Sequence, residues 1–123
     1  MGKFSSFEEI LSWQKARNLN TEIYKITNSN TSFNKDFGLK DQIRRASISI
    51  TSNIAEGFER QTTKEFVRFL FIAKASAGEV RSQLYVAFDV NYITIEEFEE
   101  LKEKVNEVSK LISGLIKYLQ STL

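Results

Sequence analysis

The chain has 123 residues, 41% of them apolar and 27% charged, and its 17 basic against 16 acidic side chains leave a net charge of +1. That length buries a core without staples, so one domain over residues 1–123 is expected, and so even a balance sets up no global field for nucleic acid or lipid. Cysteine and histidine are absent, which excludes disulfides, thiol chemistry, zinc–thiolate sites and the usual general base; proline is absent too, so little interrupts long helices.

The N-terminal stretch Met1-Gly2-Lys3-Phe4-Ser5-Ser6 lacks an apolar run of signal-peptide type. The longest apolar stretch, Phe69 to Ala73, is too short to cross a bilayer, so a soluble cytoplasmic protein without membrane contact is expected. Ser6 and Glu9 read as a capping box opening a first helix, which carries Ile10, Trp13, Ala16, Leu19, Ile23 and Ile26 at steps of three or four. It fades in Asn28-Ser29-Asn30-Thr31-Ser32, whose side chains compete with helical hydrogen bonds. A second helix is expected from near Asn34 to Phe37 as far as Glu59, with Gly57 close to its end. Thr62 with Glu65 is another capping box and opens a long third helix to about Asp89 through Phe66, Leu70, Ala73, Ala77, Val80, Leu84 and Phe88. After the short link Asn91-Tyr92-Ile93, Thr94 with Glu97 starts the last helix, where glutamates gather at the positive end of the helix dipole. Its heptad reads Phe98, Leu101, Val105, Val108, Ile112, Leu115, Leu119. With no strand pattern competing, the expected fold is all-α: an antiparallel up-down-up-down four-helix bundle, roughly 37 Å long for helices of about 25 residues.

The second helix has two ordered stripes. Leu39, Ile43, Ala46, Ile50, Ile54 and Gly57 make the apolar one; about 90° away, Gln42, Arg45, Ser49, Asn53, Glu56 and Arg60 make a polar one. Arginine rather than lysine at these positions suits paired, planar hydrogen bonding. Arg45 and Arg60 are therefore expected near Glu56, Glu79 or a neighbouring chain, with plain solvent exposure as the alternative. The third helix is apolar all round, through Phe66, Val67, Phe69, Leu70, Phe71 and Ile72, as a helix buried on more than one side would be. Phe69, Phe71 and Ile72 are expected at a subunit interface; the alternative is that these phenylalanines cover neighbouring helices within one chain.

Gln42-Ile43-Arg44-Arg45-Ala46, Ser52-Asn53-Ile54-Ala55-Glu56-Gly57, Arg60, Glu65-Phe66 and Ser76 through Glu79 resemble the four-helix-bundle family of 23S ribosomal RNA intervening-sequence proteins. The likeness extends through Trp13, Ala16, Ile23-Tyr24, Phe37-Gly38-Leu39 and Tyr92-Ile93. It departs from the family pattern at Phe33-Asn34, where a proline is common, and at Ser76-Ala77, where Ser-Leu is expected. The resemblance implies a ring-like homopentamer around a central channel, and kinship with the accessory protein of diversity-generating retroelements, which binds reverse transcriptase and nucleic acid. It supplies no catalytic residues. What it carries over is a structural polar signature at Arg45, Asn53, Glu56, Arg60 and Glu79.

The leading functional reading is a non-enzymatic oligomer that binds RNA or a nucleoprotein partner. Its candidate phosphate contacts are Arg44, Lys64, Arg68 and Lys74, gathered with Arg45 and Arg60 around the turn between the second and third helices. The bland alternative pairs these cations with Glu56, Glu59, Glu65 and Glu79. A second reading is a scaffold that recruits a protein partner with no nucleic-acid binding. Enzymatic activity is not expected: a carboxylate-bridged di-iron bundle needs histidine, and there is no Gly-rich phosphate loop or nucleophile elbow. No cofactor or metal is expected, since ion pairing explains Glu56, Glu79 and Asp89 better than a cation does.

Overall fold

The computed structural model describes residues 4–123, so the Met1–Lys3 start of the N-terminal stretch read above lies outside the described residues. A 3₁₀ turn, Phe7–Glu9, leads into five α-helices: α1 (Leu11–Ser29), α2 (Thr31–Lys35), α3 (Phe37–Glu59), α4 (Thr63–Asp89) and α5 (Ile95–Ser121). The fold is all-α. The second, third and fourth expected helices are α3, α4 and α5.

Of the three expected capping boxes, only Thr94–Glu97 closes in both directions. Thr94 Oγ1 accepts from the Glu97 N–H at 3.1 Å, and Glu97 Oε1 accepts from the Thr94 N–H at 2.8 Å. Thr62 Oγ1 accepts from the Glu65 N–H at 3.1 Å, but the Glu65 carboxylate is held by Arg68 Nε at 2.8 Å and does not return the bond. Ser6 makes no side-chain cap. Glu9 Oε1 accepts instead from the Ser5 N–H at 3.2 Å, and the 3₁₀ turn stands between Ser6 and the start of α1.

The polar cluster after α1 holds a helix that periodicity alone does not reveal. Asn30 Oδ1 caps α2 by accepting from the Phe33 N–H at 2.9 Å, and Asn30 Nδ2 donates to the Tyr92 carbonyl. Phe33 is fully buried, its ring centroid 5.4 Å from that of Tyr92. Burial of one phenylalanine under the α4–α5 link therefore orders a segment too short to show a hydrophobic period. The link itself ends α4 in a Schellman motif: Asn91, at φ 64°, lets its N–H reach the Phe88 carbonyl (3.0 Å) and the Tyr92 N–H reach the Ala87 carbonyl (2.8 Å). Asparagine tolerates this left-handed backbone better than most residues.

Buried Ile10, Leu19, Ile23, Ile43, Ile50, Ile54, Phe66, Leu70, Leu84 and Ile112 fill the core between the long helices. On α5 the buried stripe follows the expected heptad to Ile112 and then passes through Ile116 rather than Leu115. A straight helix drifts about 20° per heptad from a 3.5-residue repeat, and over this length the drift brings Ile116 inward. Late residues of α1 meet early residues of α3. Arg44 Nε donates to Thr27 Oγ1 at 2.9 Å, Ser47 Oγ to Asn20 Oδ1 at 2.6 Å, and Asn20 Nδ2 to Thr51 Oγ1 at 3.1 Å. These bonds fix the register of two helices whose remaining contact is greasy and non-directional. Where α3 crosses α4, Gly57 permits the approach, since a Cβ there would lie 2.7 Å from the Phe69 Cβ and 3.3 Å from the Phe66 carbonyl oxygen.

Asp36 caps α3, its Oδ1 accepting from the Leu39 N–H at 3.0 Å, while its Oδ2 accepts from the Tyr92 hydroxyl at 2.9 Å. Both bonds, the backbone one foremost, hold the Asp36 carboxyl below the usual carboxylate range. A depressed pKa gives stability that is complete above the unfolded-state value and lost as pH falls through the folded one. Asp36→Asn keeps a capping side chain but removes the charge, so its melting temperature should decline less than wild type between neutral and acid pH. Parallel melting curves down the whole acid limb would show that Asp36 does not contribute.

Candidate functional site

The polar stripe expected on the second helix lies on α3, where spacings of three and four let its members satisfy one another locally. Arg45 Nε donates to Asp41 Oδ2 at 2.9 Å, and Arg60 Nη2 to Glu56 Oε1 at 3.1 Å; all four side chains are substantially exposed. Such i,i+4 pairs contribute about 0.3–0.5 kcal/mol each. Asn53 Nδ2 donates to the Ser49 carbonyl at 2.8 Å and to Ser49 Oγ at 3.0 Å, and Ser76 Oγ of α4 donates to Ser49 Oγ at 2.9 Å. That serine pair is the stripe's hydrogen-bonded link to the next helix. Glu79 is exposed on α4, one turn after Ser76. Within one chain, then, Arg60 is brought to Glu56, while Arg45 pairs with Asp41 and Asn53 with Ser49.

The cations expected to gather at the α3–α4 turn are divided as well. Arg68 is held by Glu65, and that bond foremost keeps the Glu65 carboxyl below the usual carboxylate range. Lys64 is exposed at the start of α4. Lys74 lines a groove of about 350 Å³ between α4 and α5, with Phe71, Gly78, Arg81, Asn106 and Ser109. Arg44 turns toward α1, bonded to Thr27 and lying 4.3 Å over the Tyr24 ring centroid.

The three residues expected at a subunit face also separate. Phe69 is only 7% exposed; it packs on α3 at Gly57, and the guanidinium carbons of Arg60 and Arg68 each lie 4.7 Å from its ring centroid. Phe69 thus belongs to the chain's own packing, because the glycine leaves a seat for it. Phe71 (48% exposed) and Ile72 (39%) point outward. With exposed Ala75, Gly78, Ser82 and Val86 they form one continuous face of α4. A Cβ on Gly78 would meet no atom within 4 Å.

Sequence reasoning missed a groove on the far side of α3, lined by Asn20, Thr21, Tyr24, Lys25, Asn28 and Arg44. The signal was the exposed polar face of the first helix, but its partner on α3 lies some twenty residues away and emerges only once the helices pair. Among the described residues, no group of three or more acidic, histidine or cysteine side chains is placed to hold a metal ion. No helix among them is long and apolar enough to cross a membrane.

Among solved structures, the chain is similar to a protein of unknown function from the S23 ribosomal protein family of Bacteroides thetaiotaomicron VPI-5482. The match has a TM-score of 0.81 and 28% sequence identity, and covers 87% of this chain and 99% of that one. No curated protein matches it. The model of the 23S rRNA-intervening sequence protein family matches residues 8–114, from the 3₁₀ turn through α4 and most of α5. The chain therefore belongs to the 23S rRNA-intervening sequence protein family.

Proposed function

We propose that the chain is a non-enzymatic, self-assembling helical module that binds RNA through a basic surface of a ring-like homopentamer in the cytoplasm. Four long helices in antiparallel up-down-up-down order form the repeating unit, a reading supported by the pairing of late α1 with early α3 and of late α4 with early α5, where the Tyr85 and Phe88 rings meet Phe98. The observation that carries assembly is the outer face of α4. Phe71, Ile72 and Val86 flank the small residues Ala75, Gly78 and Ser82, a surface flat enough for a second helix to lie close. Self-association repeats each unpaired cation around the ring, which raises local positive potential although one chain is nearly neutral.

Binding of a labelled RNA should weaken steeply with salt. Three phosphate contacts per site on a single strand give a slope of about −2 in log affinity against log salt, or a loss of about twentyfold between 50 and 200 mM. Titration at those two concentrations checks this. Salt-insensitive binding contradicts a phosphate-dominated mode, and no binding at either concentration leaves the protein-scaffold reading in its place.

A further inference from the structure

Among the described residues, five cations are paired and the unpaired ones are spread over several helices. Lys15, Arg45, Arg60, Arg68 and Lys104 each lie within 4.0 Å of a carboxylate. Of the unpaired ones, Arg17, Lys25, Lys40 and Arg44 lie on the side where α1 meets α3. The groove there, about 550 Å³, is lined by Lys25 and Arg44 with Asn20, Thr21, Tyr24 and Asn28, and by no carboxylate. Asp41 is engaged with Arg45 and Asp36 with Tyr92; Glu22 reaches Lys104 of α5 and, with Glu97 and Glu100, lines a separate groove that Lys25 also borders.

Aromatic rings interleave with these cations. Arg44 lies 4.3 Å over Tyr24, Lys40 4.8 Å over Phe37 and Arg17 5.9 Å over Trp13. Tyr24 is 40% exposed and Phe37 73%. On α1 the run Trp13, Arg17, Asn20, Thr21, Tyr24, Asn28 shares one helix face; on α3 the run Phe37, Lys40, Arg44 does the same. The two runs lie side by side, pinned by the Arg44–Thr27 and Asn20–Ser47 bonds. Positive charge meets phosphate, rings meet unstacked bases, and the Asn20 and Asn28 amides and the Thr21 hydroxyl offer donors and acceptors to base edges. A duplex keeps its bases stacked inside and cannot use such rings.

We infer that the α1–α3 face is a docking surface for single-stranded RNA, with a base stacked on Tyr24 and phosphates on Arg17, Lys25, Lys40 and Arg44. The inference rests on the RNA-binding reading above and moves its surface from the α3–α4 turn to the opposite side of α3.

The test uses a labelled 12-nucleotide single-stranded uridine-rich RNA at low salt, followed by fluorescence anisotropy, with solution mass and melting temperature recorded for every variant. Tyr24→Leu should weaken binding about tenfold, the worth of one lost base stack. Lys25→Glu, at an exposed position, should weaken it severalfold and lower the salt slope by about one phosphate contact. Lys64→Gln at the α3–α4 turn should bind within twofold of wild type, and a duplex of the same sequence more weakly than the single strand. If Tyr24→Leu melts early, Lys25→Glu alone decides the location. Wild-type affinity in Lys25→Glu and Tyr24→Leu with loss in Lys64→Gln overturns this surface and leaves RNA binding standing. Equal affinity for duplex, or equal competition by polyglutamate, overturns the ligand class. A wild-type protein that binds no RNA at all fails the broader reading too.

Discussion

Replacing Phe66 by alanine should cost about 3–5 kcal/mol of folding free energy, the usual range for deleting a fully enclosed phenylalanine. Phe66 is 0% exposed and sits where Gly57 lets α3 and α4 approach closely. Its ring meets Phe58 edge to face at a centroid distance of 6.0 Å, and its Cδ1 lies 3.0 Å from where a Cβ on Gly57 would be. Little around it can collapse into the space, because α3 is already pressed against α4 there. Urea unfolding of wild type and Phe66→Ala checks this: the midpoint should fall with the slope unchanged. A loss under about 1 kcal/mol would mean that the α3–α4 crossing is looser than described.

Phe71→Glu should break the assembly while leaving the single chain folded. Phe71 is half exposed and contributes little to the core of its own chain, so the substitution costs the isolated bundle little. At a subunit contact the balance reverses. Each Phe71 buried there contributes roughly 1.5–3 kcal/mol, and a carboxylate in its place must be desolvated at the contact, a penalty that pairing with Lys74 a turn away offsets only in part. A closed ring applies that change at every interface. Light scattering and far-ultraviolet circular dichroism on the same sample separate the two effects: a monomeric mass with an intact helical spectrum is expected, and an unchanged mass would put Phe71 outside the contact.

The long helices were legible because each carries a strong period, and the last two also carry a local start signal. Thr62 and Thr94 cap α4 and α5 as the spacing to Glu65 and Glu97 implies, although Arg68 draws the first glutamate away. The short helix α2 was not legible, since five residues hold no period and Phe33 is ordered by Tyr92, about sixty positions later. Surfaces were harder still. The apolar excess of the third helix was plain, but its sorting into Phe69 inside and Phe71 outside depends on a seat made by Gly57 on another helix. The polar stripe read as one network because its members share a face; in the fold Arg45, Asn53 and Arg60 each find a partner a turn away on α3. The pairing of Arg44 with Tyr24 joins two helices and has no trace in local sequence.

Self-assembly is the claim on which the functional account depends, and the solution mass of the wild-type protein tests it most directly. Light scattering on a sizing column at low and at physiological salt should give roughly five times the 14.2 kDa chain mass under both conditions. A single-chain mass at both salt concentrations would contradict the account, leaving the α4 face without a second copy and any RNA surface to a lone bundle.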